Sequence, residues 1–324
     1  MKRTLLFIFK TIVAAALLFW LLHAGVIDLS SIRKLANHPL MMTVAVLTPL
    51  FSLIAASARW WLLLRCQGVI LPFLRVFHIF MVSNLTISFL PGGASGDVVK
   101  SILIARSQPL NKTPVVLTVL NDRLFAVGSL VLFACFFAVP LIYRHEGSLR
   151  TLAVSVFTLL AILVVSLLFV LVAAPRLKSR SFLISDSFLS RTLSHLHDFV
   201  LSVRQNIGLT ILAFLYSIVS SSAMFCGIAA IGLSFSYEGL GFADYAFAGA
   251  LAMVANALPL TPGGLGIGEA AFNTICHWLT TQPNSIHDYG TTFLVYRAFA
   301  VLFSLYGIVP MLVPKLTLSK IAVN

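Results

Sequence analysis

Long apolar runs are the feature that most constrains how this sequence can fold. Several exceed the roughly 18 residues that a helix needs to cross a hydrocarbon core about 30 Å thick. Only 10% of the 324 residues are charged, and the mean hydropathy is +1.01. We therefore predict an all-α polytopic membrane protein. Its six full transmembrane helices are expected at 4–24, 39–63, 113–141, 151–174, 208–233 and 290–313.

Two further apolar segments end at Pro-Gly-Gly, and each is followed by a second stretch compatible with a helix. Proline ends a helix because it lacks an N–H and clashes with the preceding turn. Non-helical backbone at membrane depth is tolerated only where it is buried in protein or lines a wet cavity. We predict a re-entrant helical hairpin at each place, over about 76–107 and about 244–281.

The distribution of Lys and Arg favours the re-entrant arrangement. With a cytoplasmic N-terminus and both hairpins re-entrant, fourteen Lys and Arg fall in cytoplasmic segments and four in outer loops. Counting each hairpin as a full span gives eight inside and ten outside, which removes the bias expected of membrane proteins. The net charge of +12 is therefore interpreted as a topology signal, with no nucleic-acid partner, and both termini are predicted to be cytoplasmic.

This topology divides the chain into two inverted repeats, 1–150 and 151–324. Each runs span, span, hairpin, span, with the first hairpin entering from the cytoplasm and the second from outside. Inverted repeats with broken helices are the design of many secondary transporters. The segment 175–207 has apolar residues at alternating spacings of three and four, which predicts an amphipathic helix on the cytoplasmic membrane surface. The alternative is an ordinary extension of the next span.

Local sequence similarity accompanies the repeat. Matched positions are Asn84, Pro91 and Asp97 in the first half and Asn256, Pro262 and Glu269 in the second. An arginine inside the next span follows each acid, 26 residues later at Arg123 and 28 residues later at Arg297.

The hairpin tips are candidate anion sites. Glycine permits close backbone approach, and free N–H groups at a helix start bind anions. The alternative is that Pro-Gly-Gly only forms a turn, the acids only cap helices and the asparagines only bond across a helix interface. The candidate substrate-binding residues are Gly92, Gly93, Gly263, Gly264, Asn84, Asn256, Arg123 and Arg297.

Charges within the spans are the second group of candidates, because a charge at the bilayer centre costs ~2.5–3.5 kcal/mol. The guanidinium groups of Arg123 and Arg297 suit a lipid phosphate. Asp97, Asp122 and Glu269 are candidates for gating or proton coupling. The alternative is structural: ion pairs of Arg123 with Glu269, or of Arg297 with Asp97 or Asp122, hold the halves together. Both roles can coexist.

Other residues are given structural interpretations. Arg59, next to Trp60 and Trp61, is predicted to be an interfacial anchor. The four cysteines stand singly in apolar segments, and two histidines two apart, His195 and His197, do not share a helical face. No metal, no other cofactor and no catalytic residue is predicted, since nucleotide-binding and nucleophile motifs are missing from the sequence.

The stretches F-L-P-G-G-A-S-G-D-V-V-K, L-N-D-R-L-F, L-T-P-G-G-L-G-I-G-E-A-A-F and Y-R-A-F-A resemble the lysylphosphatidylglycerol synthase transmembrane family. The resemblance covers essentially the whole chain. It implies a lipid-translocating domain in the inner membrane of a prokaryote, acting on phospholipid, aminoacyl-phospholipid or isoprenoid-linked lipid. We expect a stand-alone member without the soluble transferase domain, and hence no aminoacyl transfer.

Two functions follow as expectations. The first is a flippase or transporter for an anionic or phosphate-containing lipid, with an anionic lipid surface as a further partner. The second is a lipid-binding accessory subunit that presents a lipid-linked substrate to a partner glycosyl- or aminoacyl-transferase. A membrane-embedded enzyme is disfavoured, because no nucleophile–base pair or metal cluster appears in the apolar segments.

Overall fold

Every regular element in the described residues is helical. The computed structural model describes residues 29–89, 95–107, 112–144, 147, 150–162, 204–235, 239–256, 266–280, 287–313 and 315–318. The predicted span 4–24, most of the predicted amphipathic segment 175–207 and the later part of the predicted span 151–174 lie outside these residues.

The helices are numbered here in chain order. They are α1 (Leu29–Ala36), α2 (Pro39–Cys66), α3 (Phe73–Phe89), α4 (Ser95–Ser107), α5 (Lys112–Arg144), α6 (Arg150–Ile162), α7 (Ile207–Ser234), α8 (Phe242–Asn256), α9 (Ile267–Leu279), α10 (Gly290–Ser304), α11 (Ile308–Leu312) and α12 (Lys315–Leu318). A 3₁₀ turn, Leu305–Gly307, joins α10 to α11.

Four stretches of the described residues are long and apolar enough to cross a membrane. They are Pro39–Cys66, Thr118–Tyr143, Ile207–Ser234 and Gly290–Leu312. These stretches confirm four of the six predicted spans and the all-helical membrane class. The last stretch comprises α10, the 3₁₀ turn and α11. Gly307 sits in that turn, where a Cβ would overlap the backbone of Met81, so the turn lies directly against α3.

Helix α2 illustrates how local sequence sets an element's ends. Pro39 occupies its first turn, where the missing N–H is no loss. At the other end Gly68 has φ +75°, and the N–H of Val69 donates to the carbonyl of Leu64 at 3.0 Å. Together with a bond from the Gly68 N–H to the Arg65 carbonyl, this is a Schellman motif, which stops the helix.

Two pairs of shorter helices accompany the spans. Helix α3 has 17 residues and packs against α4 with 13, while α8 has 15 and packs against α9 with 13. None reaches the roughly 20 residues that a transmembrane helix needs. The Pro-Gly-Gly sequence that separates the two helices in each pair lies outside the described residues.

Helices α2 and α7 form the central contact of the molecule. Both have 28 residues, and they run antiparallel, because Cys66 at the end of α2 lies 3.9 Å from Thr210 at the start of α7. At their midpoints the hydroxyl oxygens of Ser52 and Ser220 are 2.9 Å apart. These two serines occupy the same position within their helices.

Two apolar clusters surround this contact. One is built on α2, α3 and α4 and includes Trp60, Ile79 and Ile104. The larger one joins α5 to α7, α8, α9 and α10, and its most buried aromatic rings include Phe225 and Phe272. Each short helix pair is thereby held against a long span, which fixes the position of the charged residues described next.

Candidate functional site

A cavity of about 250 Å³ opens between the first short helix pair and the spans α2, α5 and α7. Its apolar wall includes Leu53, Ile87 and Met224. Its ionisable and amide side chains come from four helices: Arg59 on α2, Asn84 on α3, Asp97 and Lys100 on α4, and Asp122 and Arg123 on α5. The hydroxyls of Ser52, Ser220 and Ser221 complete the lining.

Asp122 is the centre of a buried three-residue charge cluster. Its Oδ1 accepts from Nε of Arg59 at 2.7 Å, and its Oδ2 accepts from Nζ of Lys100 at 2.9 Å. All three side chains are at most 7% exposed. One carboxylate therefore holds two cations that come from different helices. Removing charges from water is costly, and the close contacts with the shared carboxylate offset part of that cost.

Lys100 is enclosed by aromatic rings as well as by the carboxylate. Its Nζ lies 5.1 Å from the ring centre of Trp60 and 4.5 Å from that of Phe80. Ring faces attract a desolvated ammonium. Arg59 has a second neighbour in Ser217, whose hydroxyl oxygen is 3.4 Å from one terminal guanidinium nitrogen. Both cations are thus fixed in place at the edge of the cavity.

A second ion pair lies on the same cavity. Nε of Arg123 donates to Oδ2 of Asp97 at 2.7 Å, and the arginine side chain is 35% exposed. Asp97 stands in the first turn of α4, where the positive end of the helix favours a carboxylate. Its Oδ1 has no hydrogen-bond partner among the described residues. The pair links the second short helix to the span that follows it.

The second half contains the matching pair. A terminal nitrogen of Arg297 donates to Oε1 of Glu269 at 2.6 Å, with both side chains less than 15% exposed. The other carboxylate oxygen of Glu269 accepts from the Gly266 N–H at 2.8 Å, which caps α9. Glu269 therefore caps a helix and holds an arginine at once. Capping and ion pairing were treated as separate alternatives from sequence, and here one residue does both.

The pairing of acids with arginines differs from the alternative considered from sequence. Asp97 and Glu269 pair with the arginine of their own half, and Asp122 pairs with Arg59 and Lys100. The alternative of ion pairs between the halves is therefore wrong for these three carboxylates. The physical reason is that each short helix packs against the next span along the chain, which brings its first turn beside the arginine of that span.

The predicted site residues fall into three groups: those that line the cavity, those that lie elsewhere in the described residues, and those outside the described residues. Asn84, Asp97, Asp122 and Arg123 share the cavity, whereas Glu269 and Arg297 form their pair on α9 and α10 outside its lining. The amide of Asn84 donates to the Phe80 carbonyl of its own helix at 3.2 Å. Oδ1 of Asn256 is buried and has no partner in the part of the chain that the structure describes. Outside the described residues lie Gly92, Gly93, Gly263 and Gly264.

Two cavity residues were missed from sequence. Arg59 was interpreted as an interfacial anchor, which is wrong: it is 6% exposed and bonded to Asp122. Lys100 was counted only as a topology charge, yet it is 4% exposed. A signal for Lys100 did exist, because it follows Asp97 by three residues and so lies close to the same face of the helix.

The family model for the lysylphosphatidylglycerol synthase TM region matches residues 7–305. The chain belongs to this family. Comparisons with curated proteins and with solved structures gave no match. Family membership agrees with the resemblance inferred from the glycine motifs and with the membrane-spanning helices. Within the described residues, no group of three His, Cys, Asp or Glu is placed to hold a metal ion.

Proposed function

We propose that this protein translocates a phosphate-containing lipid across the membrane. The observation that carries the proposal is the cavity between α2, α3, α4, α5 and α7, in which buried cations face an apolar wall. Arg and Lys donate to phosphate oxygens, while apolar surface suits the start of acyl or prenyl chains. Its size, about 250 Å³, fits a headgroup, so the chains would remain in the bilayer.

The translocation proposal includes two inverted repeats, 1–150 and 151–324, each with a re-entrant hairpin. Reciprocal packing supports it: α3 contacts α10 as α8 contacts α5, α2 contacts α10 as α7 contacts α5, and α4 contacts α5 as α9 contacts α10. The antiparallel crossing of α2 and α7 at Ser52 and Ser220 supports it too, since repeats of opposite topology place matched spans antiparallel.

In this mechanism the two halves rock against each other around the bound headgroup. Backbone N–H groups of Gly92, Gly93, Gly263 and Gly264, together with Arg123 and Arg297, would bind the phosphate, with Asn84 and Asn256 beside it. The carboxylates Asp97, Asp122 and Glu269 would act as gates, each releasing a cation when the phosphate arrives. Buried ion pairs suit such a switch because either partner's removal is costly unless another charge replaces it.

The proposal also includes a location in the cell and an orientation in the membrane. The protein would lie in the cytoplasmic membrane of a prokaryote with both termini in the cytoplasm, and an amphipathic segment, 175–207, would contact anionic lipid. The positive-inside bias supports this orientation. The domain would act without covalent catalysis, and a partner transferase is one source of its lipid.

Translocation is tested by reconstituting the full chain into liposomes that contain a fluorescent phospholipid and measuring how much label a membrane-impermeant quencher reaches. We expect label to cross faster than in protein-free liposomes. Asp122→Asn and Arg297→Gln should slow it at least tenfold, with Arg150→Gln, an exposed charge, as the control.

The outcome separates the two candidate functions. Absence of translocation for phosphatidylglycerol, an aminoacylated derivative and an isoprenoid phosphate alike would overturn the flippase proposal. If lipid still co-purified and a transferase came with it, the accessory role would replace it. Accessibility of introduced cysteines tests the orientation separately, because the inverted arrangement requires 108–111 to be labelled from the cytoplasm and 283–287 from outside.

A further inference from the structure

The cavity carries an excess of positive charge. Its ionisable lining comprises three cations, Arg59, Lys100 and Arg123, and two carboxylates, Asp97 and Asp122, which leaves one net positive charge. Each carboxylate in this group is bonded to at least one of the cations, and the count takes every one of these side chains in its ordinary charged form. A net charge within a membrane protein is unfavourable unless a counter-ion or water compensates it. A bound ligand with one negative charge would therefore balance the net charge of the cavity.

The cations at the edge of the cavity also have unused hydrogen-bonding capacity. Lys100 has three N–H donors, and one of them bonds Asp122. Arg59 has five donors, of which one bonds Asp122 and another lies near Ser217. Neither side chain makes a further hydrogen bond within the described residues. Both line the cavity, so a ligand with several acceptor oxygens can accept from these donors.

We propose that the cavity binds one lipid headgroup with a net charge of minus one, a phosphodiester whose oxygens accept from Lys100 and Arg59. This inference rests on the proposed function only in taking a membrane lipid as the source of the phosphodiester. Asp122 holds both cations in position before the ligand arrives. The cavity is about 250 Å³, smaller than most drug-sized pockets, so it takes the phosphate and its substituent but no chain.

Charge matching sets the specificity. A singly charged phosphodiester neutralises the cavity, whereas a zwitterionic headgroup leaves its positive charge uncompensated. A lysylated headgroup adds two ammonium groups to the phosphodiester and would raise the positive charge in the site. The cavity should therefore prefer phosphatidylglycerol to the lysylated lipid for which the family is named. The aromatic rings of Trp60 and Phe80 already enclose the Lys100 ammonium, so they do not provide a cage for a second one.

The test is binding of short-chain lipids to the full-length protein in an uncharged detergent, measured by native mass spectrometry and by calorimetry. The probes are the dioctanoyl forms of phosphatidylglycerol, phosphatidylcholine and lysylphosphatidylglycerol. We expect one phosphatidylglycerol per chain, bound about tenfold more tightly than either of the others, as a charge-assisted hydrogen bond is worth at least that factor.

Two variants of the same helix give the charge dependence. Lys100→Gln makes the cavity neutral, so phosphatidylglycerol should bind about tenfold more weakly while phosphatidylcholine is unaffected. The matched control is Arg106→Gln, which removes an exposed charge from the same helix and should leave both affinities unchanged. Since Lys100→Gln can also loosen the fold, Lys100→Arg serves as a second variant and should retain the preference for the anionic lipid.

Three results would overturn the inference: equal affinity for the three lipids, no effect of Lys100→Gln, or displacement of phosphatidylglycerol by inorganic phosphate at equal concentration, which would identify a free-anion site. The translocation assay is independent of these results. Tight, selective binding without transport would reject flipping and leave the anion site. Transport that continued in Lys100→Gln with unchanged lipid selectivity would reject this site and leave the flippase.

Discussion

The two halves of the chain share a set of helices and an acid–arginine pair, which we call the frame. They differ in the side chains that these helices surround. Both have a 28-residue central helix, a 13-residue second short helix and an acid–arginine pair between that helix and the next span. Within the part of the chain that the structure describes, the charge cluster on Asp122 has no counterpart in the second half. Positions that match Arg59, Lys100 and Asp122 are Gly227, Phe272 and Tyr296.

At the positions where the first half has these charged residues, the second half has closely packed uncharged residues. Phe272 is fully buried and lies 5.5 Å from Phe293 between ring centres. Tyr296 is 3% exposed, and it packs so closely on Gly227 that a Cβ there would overlap it. An ion pair of an acid and an arginine therefore occurs in both halves, whereas every charged residue that lines the cavity, within the described residues, comes from the first half.

The largest effect is expected at Asp122. Replacement by Asn leaves Arg59 and Lys100 buried without their carboxylate, and breaking a buried ion pair costs about 3–5 kcal/mol. The matched change in the second half, Tyr296→Phe, removes no charge and should cost much less. Unfolding of the purified protein in detergent measures both. If the two variants were equally stable, the charge cluster would not distinguish the halves. Adding Lys100→Gln to Asp122→Asn should restore part of the loss.

The next largest effect is expected from Gly227→Ala. A Cβ at that position overlaps Thr48 and Tyr296, and overpacking costs about 1–3 kcal/mol. Gly128→Ala is the control: it is also within a helix, but its Cβ would meet only Phe214 at 3.9 Å. That variant should be neutral or stabilising by up to about 1 kcal/mol, because alanine favours helix. Thermal unfolding in detergent compares them, and equal stability would contradict close packing in the second half.

The sequence predicted the frame better than the cavity. Apolar length located four spans, because a span needs nothing beyond length and hydropathy. The spacing of each acid to an arginine marked similar positions in the two halves, yet it did not say which acid meets which arginine. That depends on the short helices folding back on the next span. Arg59 and Lys100 were misjudged because a cation beside tryptophans or near a helix end also fits the membrane interface, and only packing separates the two cases.

A smaller difference is expected between the two duplicated ion pairs. Glu269→Gln should cost about 2 kcal/mol, because it weakens a pair less than 15% exposed and the cap of α9. Asp97→Asn should cost about 1 kcal/mol, since its partner Arg123 is 35% exposed and solvent screens the pair. Urea unfolding of both variants checks the order. A larger loss for Asp97→Asn would mean that the first-half pair is the structural one.

The smallest effect tests the symmetry of the frame itself. Ser52 and Ser220 share a hydrogen bond between their hydroxyls, from matched positions at the midpoints of α2 and α7. Ser52→Ala should cost about 1 kcal/mol, the net worth of one hydrogen bond, and Ser220→Ala more, because the Ser220 hydroxyl also lies 3.1 Å from the Ser52 carbonyl and donates to it. Because the contact is mutual, the double variant should cost less than the two single losses added together. Full additivity would show that the two hydroxyls do not interact, and the matching of the halves would then rest on the ion pairs alone.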